Sequence, residues 1–145
     1  MEPLSQEQRA TLSCVLDEII PPSEDGRLPG AGTLGLAGAV EGFLQRTPGA
    51  VADLARAVDA LGAAGFPTLA GAQRTQTLRD FEAKNPGFVP GLIAPTYVGY
   101  YQEPRVYVAL GLDPRPPHPK GHVLEAGDLG LLEAVRRREK IYRDC

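Results

Sequence analysis

Gly91-Leu-Ile-Ala-Pro-Thr-Tyr-Val-Gly-Tyr-Tyr-Gln-Glu-Pro-Arg-Val-Tyr-Val-Ala-Leu-Gly111 holds four of the five tyrosines in the chain, Tyr97, Tyr100, Tyr101 and Tyr107. The chain has no Trp and four Phe, so its aromatic surface is concentrated here. The stretch changes character along its length. Leu92 to Tyr101 reads as a buried helix. After Glu103-Pro104 the helical periodicity is lost, and the chain runs into Pro114-Arg-Pro-Pro-His-Pro119. The pattern predicts a helix with an apolar, partly hydroxylated face, followed by an extended arm that leaves the globule. Tyrosines at a helix exit suit an interface, because each ring buries area while its hydroxyl finds a partner. Core packing is the competing reading for Tyr97 and Tyr100.

Working outward, the rest of the chain is also helical in pattern. Ser5-Gln-Glu-Gln8 reads as a capping box, with Leu4 placed for a hydrophobic staple. Leu12, Val15, Leu16, Ile19 and Ile20 follow at helical spacing. Pro21-Pro22 stops that helix, since proline offers no N–H and restricts the residue before it. Ser23 to Gly32 is a loop. Thr33 predicts the cap of a second helix carrying Leu36, Val40, Phe43 and Leu44. Thr47-Pro48 predicts the start of a third, with Val51, Leu54, Ala55, Val58 and Leu61 on one face. Phe66-Pro-Thr-Leu69 is a short bridge. Gln73 to Lys84 is a fourth helix with Leu78 and Phe81 inward, and Phe88 to Tyr101 a fifth, kinked or divided at Pro95. Residues 102–123 are the arm. Leu124 to Arg143 is a final helix, with Arg136-Arg-Arg138 near its C-terminal end, where positive charge suits the helix dipole. The fold expected is all-α: one helical domain over 1–145, with five or six helices and a proline-rich arm.

Composition agrees with a globular chain. It has 145 residues, 43% hydrophobic and 23% charged, enough for a single core. Proline is frequent, 14 residues, against about 5% on average. The net charge of -3 argues against nucleic acid, which favours a basic face. No run reaches the roughly 18 apolar residues of a membrane span. The first residues, Met1-Glu-Pro-Leu-Ser-Gln-Glu-Gln-Arg9, carry neither a secretion signal nor a twin arginine, so the expectation is a cytoplasmic location or export riding on another protein, with a periplasmic location if the start is trimmed. Cys14 lies in an apolar helix pattern and Cys145 ends the chain, which is no disulfide framework.

Motifs for chemistry are sparse. Gly30, Gly32 and Gly35 match G-x-G-x-x-G, but the dinucleotide reading needs a strand before and a parallel strand after. A helix and a proline-rich loop precede it, so a turn into a helix is expected. His118 and His122 have ligand-like spacing, yet Pro117 and Pro119 flank the first and no acidic or Cys cluster adjoins them. Glu24-Asp25 and Asp17-Glu18 read as solvated pairs. No Ser or Cys carries a nucleophile motif.

Several pieces together resemble the gluconate 2-dehydrogenase subunit 3 family. They are Leu4-Ser-Gln-Glu-Gln-Arg-Ala-Thr-Leu12, Asp17-Glu-Ile-Ile-Pro21, the loop ending Gly30-Ala31, Val40-Glu-Gly-Phe-Leu44, Phe66-Pro-Thr-Leu69 and Thr96-Tyr-Val-Gly-Tyr-Tyr-Gln-Glu-Pro104. They span most of residues 4–111. The resemblance implies a small helical subunit with no cofactor of its own. It also implies a partner, a large FAD-dependent dehydrogenase of the glucose–methanol–choline (GMC) type acting on sugars, sugar acids or polyols. Many members carry a twin-arginine signal, which this sequence lacks. That points away from export and toward stabilising the partner. The residues expected to bind it are Tyr97, Tyr100, Tyr101, Pro104, Tyr107, Leu110, Pro116 and Pro117, with no catalytic, cofactor or metal residue in this chain. The competing readings are a stand-alone helical enzyme with a pocket near Tyr97–Tyr107, and a scaffold for another protein.

Overall fold

Ser5 starts the first helix as its sequence promises. Its hydroxyl accepts the Gln8 N–H at 3.1 Å, and the Gln8 side chain accepts the Ser5 N–H at 2.8 Å. The helix that follows, α1, spans Gln6–Ile19. In the computed structural model, which describes residues 3–115, 121, 126–141 and 143, the first compact unit, Met1–Pro114, is built around it. Leu12, Val15 and Leu16 on α1 are fully buried, with Ile19 and Ile20 packed at the margin.

The remaining elements of this unit are α2 (Ala37–Leu44), α3 (Ala50–Ala63), a 3-10 turn at Phe66–Thr68, α4 (Gly71–Lys84), α5 (Phe88–Gln102) and α6 (Pro104–Ala109). No strand occurs among the described residues, so the all-α expectation holds. Val51, Leu54, Val58 and Leu61 of α3 are buried at the predicted helical spacing. So are Val40 of α2, Leu78 of α4 and Phe66 of the turn. α1 packs on α3, and α2 packs on α5.

Two predicted caps give way to backbone geometry. Thr33 does not cap α2, which starts four residues later with no side-chain cap. α3 begins not at Thr47-Pro48 but after Gly49, which sits at φ 83° and takes the left-handed turn that glycine alone enters without cost.

Polar ties fasten the loops to the helices. The buried Glu41 carboxylate accepts the Leu4 N–H at 3.3 Å and the Arg9 Nη2 at 3.0 Å, joining the chain start to α2. Its burial is tolerated because the charge is paired and hydrogen-bonded. Asp17 accepts the Gly32 N–H at 2.8 Å, folding the Ser23–Gly32 loop back onto α1. Thr75 donates to Glu18 at 2.7 Å, between α4 and α1.

The arm expected over 102–123 is corrected in its first third, where Pro104 opens α6. The residue before a proline is driven extended, and Glu103 lies at φ -76°, ψ 122°, which ends α5. Proline itself suits the first helical position, so the same residue that stops one helix starts the next. Val106, fully buried, anchors this short helix. It closes in a Schellman motif: Gly111, at φ 75°, donates to the Val108 carbonyl at 3.0 Å, and Leu112 donates to Tyr107 at 2.8 Å.

The second compact unit is Arg115–Cys145. Its described residues are all exposed. Leu124, Glu125 and Tyr142 lie outside the described residues; among the described ones, the helix predicted from Leu124 to Arg143 is a 3-10 turn at Leu129–Leu132 and one helical turn, α7 (Glu133–Arg136). Asp128 caps the first by accepting the Gly130 N–H at 2.8 Å. A helix owes most of its stability to a packed apolar face. Leu129, Leu131 and Val135 are more than half exposed, so no such face supports a longer helix here.

Candidate functional site

α5 divides the tyrosine stretch by helical phase. Leu92, Pro95, Thr96, Gly99 and Tyr100 are buried, the i, i+3, i+4, i+7, i+8 positions of one face. The helix continues through Pro95. Thr96 returns its hydroxyl to the Leu92 carbonyl at 2.6 Å, which satisfies that buried group. Gly99 lets α5 approach α2, where a β-carbon would meet Ala39 at 3.5 Å and Leu36 at 3.7 Å.

Tyr100 is therefore turned into the core. It is 2% exposed, and its hydroxyl donates to the Pro29 carbonyl at 2.9 Å, bridging α5 to the glycine-rich loop. Burial, reinforced by the neighbouring Tyr101, raises the Tyr100 pKa above its ordinary 10.0. A folded-state pKa above the unfolded one gives stability that is complete below the unfolded value and lost as pH rises through the folded one. Tyr100→Phe is expected to cost about 1 kcal/mol at neutral pH and to flatten the alkaline loss expected of the wild type above about pH 10. Denaturant unfolding at neutral and alkaline pH measures both. Equal alkaline losses in the two proteins would place the Tyr100 hydroxyl in water.

The opposite face of α5 is apolar and open. Ile93, Tyr97 and Tyr101 recur every four residues and are 44%, 45% and 49% exposed. The Tyr97 and Tyr101 rings lie 6.0 Å apart, and Tyr101 meets Tyr100 edge to face at 5.3 Å. Val98 extends this surface. On α6 and its exit, Tyr107, Val108, Leu110 and Leu112 are exposed, while Pro104 is exposed at the helix start.

Of the eight expected residues, then, Tyr97, Tyr101, Pro104, Tyr107 and Leu110 lie on the surface. Tyr100 is in the core, and Pro116 and Pro117 lie outside the described residues. Ile93, Val98 and Leu112 join the exposed set without having been singled out. The signal for Ile93 was available in its place one turn before Tyr97.

The other candidate chemistry falls elsewhere. Asp25 accepts from Ser23 at 2.6 Å and from the Arg27 Nε at 2.5 Å. The Ser23 bond and then the Arg27 bonds hold its pKa below the ordinary carboxylate value, but the group is an exposed loop tie. His118 and His122 lie outside the described residues, and among the described ones no group of three His, Cys, Asp or Glu could hold a metal ion. One groove lies between α3 and the corner joining α4 to α5, and a smaller one lies beside Glu18 and Thr75. Neither is lined by the tyrosines. No helix among the described residues is long and apolar enough to cross a membrane. No protein-family model, curated protein or solved structure matches the chain.

Proposed function

We propose that this chain is a non-catalytic accessory subunit that binds and stabilises a large GMC-type FAD-dependent dehydrogenase of sugars or polyols, the flavin residing in the partner. The order of short motifs from Leu4 to Pro104 supports the choice of partner. The observation that carries the docking role is the Ile93–Tyr97–Tyr101 stripe, exposed on a helix whose other face is locked into the core. A monomer of this size rarely leaves a continuous apolar patch uncovered. Tyrosine suits the centre of such a contact, with large area and few rotatable bonds.

The test is co-expression with a GMC-type flavoprotein of the same organism, followed by affinity measurement. Wild type is expected to co-purify with a flavin-containing large chain. Tyr97→Ala combined with Tyr101→Ala is expected to weaken the complex at least about thirtyfold. Its circular dichroism should stay unchanged, because both side chains point out of the core. Unaltered affinity in the folded double variant would remove this face from the interface. A complex with no flavin-bearing chain would overturn the choice of partner.

A further inference from the structure

The groove between α3 and the α4–α5 corner has a volume of about 620 Å³, within the range of small-molecule sites. Leu54 faces it from α3, and Phe81, Phe88 and Leu92 from the other side. Ala57 and Ala60 are the small side chains that leave the space. Phe81 and Phe88 pack edge to face at 5.2 Å. The corner between them is fixed by Glu82, which accepts the Gly87 and Val89 N–H groups, each at 2.8 Å. Gly87, at φ 96°, makes the turn. The aromatic wall is thus formed before anything binds.

Its polar side chains are Asp53, Arg56 and Asn85, the last donating to the Phe81 carbonyl at 3.0 Å. Asp53 and Arg56 both line the groove and are paired with each other, so neither calls for a charged ligand. A charged ligand would also lose hydration against Leu and Phe walls. Gly91 lines the groove too. Its carbonyl is the acceptor that residue 95 would serve in a regular helix, and Pro95 has no N–H to give. The lining therefore combines ring-sized apolar walls, balanced charge and a backbone acceptor.

We propose that this groove is a binding site for a neutral aromatic alcohol, with its rings against Phe81, Phe88 and Leu54 and its hydroxyl donating to the Gly91 carbonyl. The site shares α5 with the exposed tyrosine stripe but none of its residues, so it stands or falls apart from the accessory-subunit reading.

The test is nuclear magnetic resonance titration of the isotope-labelled full chain with 4-benzylphenol. Diphenylmethane serves as the probe without a hydroxyl, and 4-benzylbenzoate as the anionic one. Saturable shifts are expected at Ala57, Ala60, Phe81, Phe88 and Gly91. The phenol should bind about three- to tenfold tighter than diphenylmethane, and tighter than the anion. Ala57→Leu with Ala60→Leu fills the groove with good helix formers. It should cut affinity at least about tenfold without lowering the thermal midpoint. Ala52→Leu, on the same helix outside the groove, should leave binding intact. Absence of saturable shifts, shifts centred on Tyr97 and Tyr101, or undiminished binding in the filled variant would each overturn the site. A phenol no tighter than diphenylmethane would overturn the assignment of an alcohol.

Discussion

Phe66→Ala is expected to lower stability by about 3–5 kcal/mol, the range for emptying a large aromatic site in a packed core. Phe66 is fully buried and the bulkiest of the side chains that are. It enters the core from the 3-10 turn Phe66–Thr68, which follows Gly65 at φ 75° and packs against both α1 and α3. The two helices meet over it, so neither can move into the vacated space without leaving the other. The ring also lies under the Arg74 guanidinium, 5.9 Å from its centroid, and that attraction is lost as well. Urea unfolding followed by circular dichroism measures the change, with an unaltered m-value showing that the native state remains compact. Leu69→Ala, at a half-buried neighbour, should cost clearly less. A loss below about 1 kcal/mol for Phe66→Ala would place the ring outside the core.

The core was legible because its signals are local. A capping box needs only four residues in a row, and Ser5 to Gln8 forms it as written. The apolar rows of α1 and α3 bury the residues that helical spacing selects. The bridge from Phe66 was placed by its two apolar ends. Signals that depend on neighbours were weaker. Adjacent tyrosines look alike in a sequence, yet one hundred degrees of helical turn send Tyr100 to Pro29 and Tyr101 to solvent. Pro104 was read as a breaker, and it breaks α5 and nucleates α6 in one step. Val106, within the segment read as an extended arm, is buried as the anchor of that short helix. The C-terminal segment has the composition of a helix, but composition does not supply a surface to pack against.

The groove beside α3 was illegible for a different reason. Ala57 and Ala60 are small residues of the kind that allows close approach of a neighbouring helix. Instead they line open space, because the α4–α5 corner is held by Glu82 at Gly87 and Val89 and does not close upon them. A small residue permits contact; whether contact follows depends on the element opposite.

The glycines of the Gly30-x-Gly32-x-x-Gly35 match carry the second large effect, and for steric reasons. Gly32→Ala is expected to cost about 3 kcal/mol, combining forced overpacking with a weakened hydrogen bond to a carboxylate. A β-carbon on Gly32 would lie 2.1 Å from the Ser13 carbonyl oxygen and 2.7 Å from the Asp17 Oδ2. The first of these is α1 backbone, which no rotamer change relieves. The loop must lift, and lifting it stretches the bond from the Gly32 N–H to Asp17, 2.8 Å in the native fold. That same bond explains why this loop is ill-suited to cradle a phosphate. Its amide is already committed to an anion of the protein, and a second negative group would be repelled by Asp17. Gly30→Ala is the control. Its closest obstacle is the Asp17 Oδ1 at 2.3 Å, the oxygen that holds the Gly32 N–H, followed by Pro22 Cδ at 3.0 Å; swinging that carboxylate aside gives up the hydrogen bond but displaces no α1 backbone. Its cost should therefore be distinctly smaller. Thermal and urea unfolding of both variants decide the matter. If Gly32→Ala is no worse than Gly30→Ala, the loop does not sit against the α1 backbone.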